Sequence, residues 1–355
     1  MISRTLVSAF CLLFVPLISV SLHGNSAAAQ SGVLHFPAQG DSAGKIVLVS
    51  GDEEYRTEES MPMLAKILSV KHGFGCTVLF SMSADGSYID PNNQRGVVGW
   101  EALDDADLMI IGTRFRSPSE SQAAHITKFI DDGKPLIGIR TATHAFNGKQ
   151  SFGGELTYSN FGLKILGEQW VSHHGQHKRQ GARAVIVDQA KDHPILNSVG
   201  EIFVPSDVYG VTHLTDRDTI LLRGAVTESL DPNSANIEGA KNDPMQPLAW
   251  LHPYVSPAGT KGQAFCTTTG ASVDLVSEDL RRMLVNATYY LLDKEVPEKA
   301  DVAYVDPYYP TFYGFINDAA YWKGLNLQPS DFELGKSPHR EDPKGSPEWP
   351  FRDRP

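Results

Sequence analysis

Cysteine is scarce in this chain: 355 residues contain three, Cys11, Cys76 and Cys266. None belongs to a CxxC pair and none sits in a turn suited to a nucleophile, so no thiol centre is written in the sequence. Cys76 and Cys266 lie in the strand-like runs "CTVLF" and "AFCTTT". Two buried free thiols are the ordinary outcome there, although an oxidising compartment would allow a bridge. Positive charge is also short, with 31 Lys and Arg against 42 Asp and Glu and a net charge of -11. That balance argues against nucleic acid or an anionic membrane surface as partner. Charge of either sign is nearly missing from the first forty residues, where Arg4 stands alone. The apolar run "LVSAFCLLFVPLISVSL" follows it, and then "NSAAAQ". This order is that of a secretory leader, 1–29, cut after Ala29, and it predicts an exported protein, periplasmic or secreted. A retained anchor helix is the alternative, but Pro16 and the polar tail make the span short. Cys11 has no lipoprotein context. No internal repeat is present.

Composition otherwise is that of a globular protein, 41% hydrophobic and 21% charged. "KIVLVS" (45–50), "CTVLF" (76–80), "ADLMIIG" (106–112) and "PLIGI" (135–139) read as strands. Helical periodicity over 60–72 stops at Gly73 and Gly75. A second helix is expected to open at Ser117, with Pro118 in its first turn and Glu120 completing a capping box, and to end at Gly133. Strands alternating with helices imply a parallel sheet with right-handed crossovers. The later runs at 182–188, 219–224, 247–252 and 262–270 are spaced closely enough for several to pair antiparallel. Residues 277–294 form an amphipathic helix. It encloses Asn286-Ala287-Thr288, a poor glycosylation acceptor in that setting. Nine of the 22 prolines fall in 297–355, and aromatics crowd "YVDPYYPTFYGF" (304–315). That is too aromatic for a disordered linker and reads as an extended arm over the domain, frayed near 338–355.

Several strand ends carry chemistry-bearing residues. "HHGQH" places His173, His174 and His177 just after Trp170. Three imidazoles in five residues can ligate zinc or another divalent metal, or can simply bind backbone and water in a polar loop. In "GDEEYR" (51–56), Glu53 and Glu54 follow a strand end, where a carboxylate can orient a sugar hydroxyl or act as a base. Glu58 and Glu59 read instead as helix N-terminal acids complementing the macrodipole. Arg114 and Arg116 in "TRFRS" can fork onto a ligand anion or neutralise Glu53 or Glu54. "PSDVYGV" (205–211) offers Asp207 and Tyr209, and "TTTG" (267–270) offers hydroxyls, Thr268 among them. His193, ahead of a proline, reads as structural.

"KPLIGIRTATHAF" resembles the elbow of class I glutamine amidotransferases, a strand leading to a nucleophilic cysteine. In register that cysteine falls on Arg140, and arginine cannot replace it as a nucleophile, which excludes thiol amidotransferase chemistry. A branch with this fold and no elbow cysteine is the ThuA-like, trehalose-utilisation family. The chain resembles it over 44–293 through "GDEEYR", "KFIDDGKPLIGIRTATHAF", "DHPIL", "DVYGV" and "PLAWLHPYV…GQAFCTTTG". Typical members carry histidine at the elbow, where Arg140 stands, and often Gly-His after the last strand, where Gly270-Ala271 stands. The resemblance implies an α/β fold, a flavodoxin-like, doubly wound, mostly parallel sheet, here with the aromatic arm of 294–355 attached. It also implies a link to carbohydrate, including oxidised keto-sugars.

Three readings follow: a carbohydrate-processing enzyme, a sugar-binding domain without catalysis, or a metal-dependent hydrolase using the 173–177 histidines. Arg140, Glu54 and His144 are the candidates for chemistry. Glu53, Tyr55, Arg114, Thr141, His173, His174, Asp207, Tyr209 and Thr268 are the candidates for holding sugar. Carboxyl ends of parallel strands gather along one edge, so Arg140 is expected in the main pocket near Glu53 or Glu54 and Arg114. A buried arginine needs a carboxylate, with Glu54 expected first and Asp207 second.

Overall fold

A computed structural model describes residues 32–40 and 42–349. The expected leader lies outside the described residues. The first strand, β1 (Val33–Phe36), has no counterpart in the sequence reading, because four residues ending at Pro37 give too little alternation to register. Then come β2 (Lys45–Gly51), α1 (Thr57–His72), β3 (Gly75–Leu79), β4 (Leu108–Thr113), α2 (Glu120–Asp131) and β5 (Leu136–Ile139). A small hairpin of β6 (Ser151–Gly153) and β7 (Leu156–Thr157) follows. The second half supplies β8 (Ala182–Ile186), β9 (Phe203–Val204), β10 (Thr219–Val226), β11 (Gln246–Val255), β12 (Lys261–Thr267) and α3 (Glu278–Leu291).

Ten strands form one sheet in the order β1-β3-β2-β4-β5-β12-β11-β10-β8-β9. The run β3-β2-β4-β5-β12 is parallel throughout, and β11, β10, β8 and β9 extend it antiparallel. Alternation along β2 explains why its residues are almost all apolar. Ile46 and Leu48 pack with Leu64 of α1 and Leu284 of α3. Val47 and Val49 point the other way, toward Ile126 and Phe129 of α2. The order of connection reverses at β2, so the loops after β2 and β4 diverge at their carboxyl ends, the edge where open α/β sheets as a class bind ligands.

Two local expectations are corrected. Helix α2 is capped by Ser119, not Ser117: the Ser119 hydroxyl accepts from Gln122 N at 3.3 Å and Gln122 Oε1 accepts from Ser119 N at 2.8 Å. Ser-x-x-Gln at 119–122 satisfies both donors, and the Ser117 hydroxyl donates to Asn147 O instead. Glu58 and Glu59 stand in the first turn of α1, as expected. Both are buried, and both pair with Arg340 from the C-terminal arm. The arm is accordingly not frayed from 338: Arg340 and Trp349 are buried, and a short helix, α4 (Ala319–Leu325), buries Trp322.

Cys76 and Cys266 are free and buried. Three strands lie between β3 and β12. Four strand spacings of about 4.8 Å put the two cysteines roughly 19 Å apart, well beyond disulfide reach.

Candidate functional site

At the end of β2, Asp52 folds the turn "GDEEYR". Its Oδ1 accepts from Glu54 N at 2.7 Å and Tyr55 N at 2.9 Å, and its Oδ2 accepts from the Thr141 hydroxyl. Burial, and then the charge of Glu53, push Asp52 up to about 6. Thr141 therefore ties the turn after β2 to the turn after β5. Glu53 is held by two arginines from the loop after β4, Arg114 and Arg116. Both arginines thus neutralise the acid, one of the two roles open to them.

Arg140 leaves β5 with φ 46, a left-handed backbone that non-glycine residues seldom adopt. Gly138 makes the turn compact, since a Cβ there would meet Leu166 Cδ1 at 2.8 Å and Ala142 Cβ at 3.1 Å. The guanidinium is fully buried, 3.8 Å from the ring centre of Tyr209 and 4.6 Å from that of Tyr55. Nη1 donates to Asp207 O and Thr268 O, both at 2.7 Å. Nη2 donates to Asp207 Oδ1 at 3.0 Å and to the Tyr55 hydroxyl at 3.1 Å. Its acid is thus Asp207, the second expectation. Glu54, the first, lies instead with Oε1 at 3.2 Å from His177 Nε2 and Oε2 at 3.7 Å from Arg114 Nε.

Asp207 is the hub. Oδ2 faces His173 Nδ1 at 2.8 Å, and Oδ1 faces His177 Nδ1 at 3.1 Å as well as Arg140. Burial would raise this carboxyl, but Arg140 and the two histidines outweigh it and hold it well below the usual range. His177 spans Asp207 and Glu54. Burial would lower it, yet the hydrogen bonds to both carboxylates raise it. His173 Nε2 has no hydrogen-bond partner among the described residues, and a third of its side chain is exposed.

The three histidines do not act together. Residue 173 pairs as an isolated antiparallel bridge with residue 209, with His174 N donating to Val208 O at 2.8 Å and Gly210 N to Ser172 O at 2.9 Å. Neighbours on an extended segment point to opposite sides. His173 therefore meets Asp207, while His174 turns away to Lys241 O at 2.7 Å. The metal-ligand set expected at 173, 174 and 177 is corrected accordingly. Ligand atoms of His173, His177 and Asp207 lie within 4.8 Å of one another.

His144 sits at the rim, with ring centres 4.9 Å from Phe115 and 5.8 Å from Trp170. Burial, and then the charges of Arg114 and Arg140, hold it well below the ordinary imidazole value, so it is neutral. Thr268 contributes its carbonyl, not its hydroxyl; Oγ1 is buried with no partner among the described residues. Tyr209 donates to the Tyr55 hydroxyl at 3.2 Å.

Sequence reasoning missed four contributors. Trp170, 39% exposed, stands at 5.7 Å from the His173 ring. Phe315, 48% exposed, lies 4.9 Å from the Arg114 guanidinium. Tyr313 packs at 5.1 Å from both His177 and Tyr55. Asp52 is the fourth. Trp170 was legible, since a tryptophan three residues before a histidine cluster in a polar loop is unusual surface composition. The arm aromatics were not, because no local pattern brings residue 313 to residue 177.

A family model described as ThuA, trehalose utilisation, matches residues 45–291. No curated protein matches the chain at a significant level. Solved structures with a similar fold include a ThuA-like protein from Bacteroides uniformis, 13% identical, covering 72% of this chain and 94% of that one with a TM-score of 0.46. A ThuA-like protein from Parabacteroides merdae is 14% identical, covering 72% and 92% with a TM-score of 0.48.

Proposed function

Because the chain belongs to the ThuA family of trehalose utilisation, we propose that this edge of the sheet binds a carbohydrate and that His173 exchanges a proton with it. Membership gives the protein a carbohydrate-related role; the ligand and the step are our reading. The observation that carries it is the Asp207–His173 pair: Nδ1 is committed to the carboxylate, and Nε2 opens beside exposed Trp170. A carboxylate behind one ring nitrogen orients the imidazole and supports proton uptake at the other. Trp170 offers an aromatic face for the apolar side of a sugar ring.

Hydrolysis by two carboxylates fits poorly. Asp207 is bound by Arg140 and both histidines, Glu53 by two arginines, Glu54 by His177 and Arg114, and Asp52 is buried with both oxygens occupied. None is free to protonate a leaving group as that mechanism requires. A histidine base suits a sugar already oxidised to a ketone, whose carbonyl acidifies the adjoining C–H. The test is turnover of keto-glycosides by wild type and His173→Gln, with thermal shift reporting binding. The variant should lose at least about 100-fold in turnover while still being stabilised by ligand. Binding with no turnover in wild type would leave the sugar-binding reading without catalysis. No shift with any glycoside or keto-glycoside would reject the carbohydrate site.

A second reading is favoured by the same cluster. Two imidazoles and a carboxylate within 4.8 Å form a donor set suited to zinc, with a position left open. Elemental analysis separates the readings. Activity that survives a chelator and accompanies metal-free protein supports proton transfer by His173 alone; activity lost on chelation and restored by zinc supports the metal.

A further inference from the structure

We infer that the ligand site continues onto the C-terminal arm and takes a neutral oligosaccharide; this rests on the carbohydrate reading above. The arm lies outside the segment matched by the family model, which ends at residue 291. It nevertheless reaches the site. Phe315 stands beside the Arg114 guanidinium, which also lies 4.7 Å from the Phe115 ring centre and approaches Glu54.

The same exposed phenylalanine begins a groove of about 930 Å³ that runs past Asn317, Asp318, Tyr321, His339 and Glu341. That volume is near the upper end of ordinary ligand clefts and exceeds what one sugar ring needs. Its lining suits a glycan. Phe315 and Tyr321 supply aromatic faces, and Asn317, Asp318 and Glu341 supply polar groups for hydroxyls. Its charged groups are of both signs, Asp318, Glu341 and Asp342 beside Arg340 and Lys344, a mixture that favours a neutral ligand over a polymer of either charge.

The groove floor is fixed before any ligand arrives. Ile316 O accepts from Asn92 Nδ2 at 2.8 Å and from Trp322 Nε1 at 2.9 Å. Trp322 is fully buried, 5.4 Å from the Arg56 guanidinium, and Arg340 joins the wall to Glu58 and Glu59. Such preorganisation lowers the ordering cost of binding.

Calorimetric titration of the purified protein with trehalose, maltose, maltohexaose, cellobiose and cellohexaose tests the inference. At least one hexasaccharide should bind about tenfold more tightly than its disaccharide, a difference of about 1.4 kcal/mol. In Tyr321→Ala, and independently in Asn317→Trp, which fills the groove without removing a buried side chain, the two lengths should bind alike. Equal affinities in wild type, or a length advantage that survives both variants, would overturn the groove and leave the carbohydrate reading standing. Failure of every sugar to bind would overturn the groove; if keto-glycosides also give no thermal shift, the carbohydrate reading falls with it.

Discussion

Arg140 stands where the related elbow carries a nucleophile, but its chemistry is that of a clamp. All four terminal N–H groups are taken, by Asp207 O, Thr268 O, Asp207 Oδ1 and the Tyr55 hydroxyl. Only the Nε–H is left without a partner among the described residues, and a single N–H cannot fork onto a ligand, so the residue positions Asp207 and, through it, His173 and His177. Arg140→Lys keeps the charge and loses the planar fork. It should cost about 2–4 kcal/mol, between the loss of a few hydrogen bonds and the loss of a buried ion pair. Melting temperature should fall while ligand binding per folded molecule persists; unchanged stability with lost binding would reverse the assignment. The histidines add a pH signature. His177, raised in the fold, contributes stability that is full below its unfolded value of 6.5 and is lost as pH rises through the folded one. Asp207, depressed, contributes stability that is full above its unfolded value of 3.8 and is lost as pH falls through the folded one. The melting-temperature lead of wild type over His177→Gln should therefore be largest at about pH 5 and shrink by about pH 8. A lead that grows toward alkaline pH would contradict the doubly paired histidine.

At the scale of elements, the turn after β5 and the segment 162–168 are locked by one missing side chain. A Cβ on Gly162 would lie 2.0 Å from Thr143 O and 2.7 Å from Glu168 O, both backbone atoms with no flexible end to yield. Gly162→Ala should cost about 3 kcal/mol, the upper end of ordinary overpacking, and lower the melting temperature by several degrees; a neutral outcome would mean that the turn can shift. The elements themselves were unevenly legible. Parallel strands such as β4, buried on both faces, print continuous apolar runs and were read within two residues. The start of α2 was misplaced because Ser117 and Ser119 both stand three residues before a suitable partner, Glu120 or Gln122. That the carboxyl ends of the strands gather Arg140, Glu53 and Arg114 along one edge was legible from topology alone. Which acid meets Arg140, and which histidine turns inward, was not. Both depend on the bridge between residues 173 and 209, and nothing near either position announces it.

Across the whole molecule, the sheet decides the fate of the thiols. Burial pushes both Cys76 and Cys266 up, and three strands separate the strands that carry them. In protein lacking residues 1–29, a thiol reagent should find no fast-reacting group under native conditions and two after unfolding, whatever the redox history of the sample. Recovery of fewer than two free thiols on unfolding would point to a bridge that this sheet order forbids.

The clamp between α1 and the arm also has a consequence in time. Glu58 and Glu59 are separated from Arg340 by 282 and 281 residues. A chain made at about 5–20 residues per second needs on the order of 15–55 s to cover that distance. Throughout that interval α1 can dock on a growing sheet while two of its acids wait without their cation, and for all but its last stretch Tyr313 and Phe315 have not yet been added. A nascent chain stalled after α3 but before Tyr313 would hold a finished scaffold and an unfinished site.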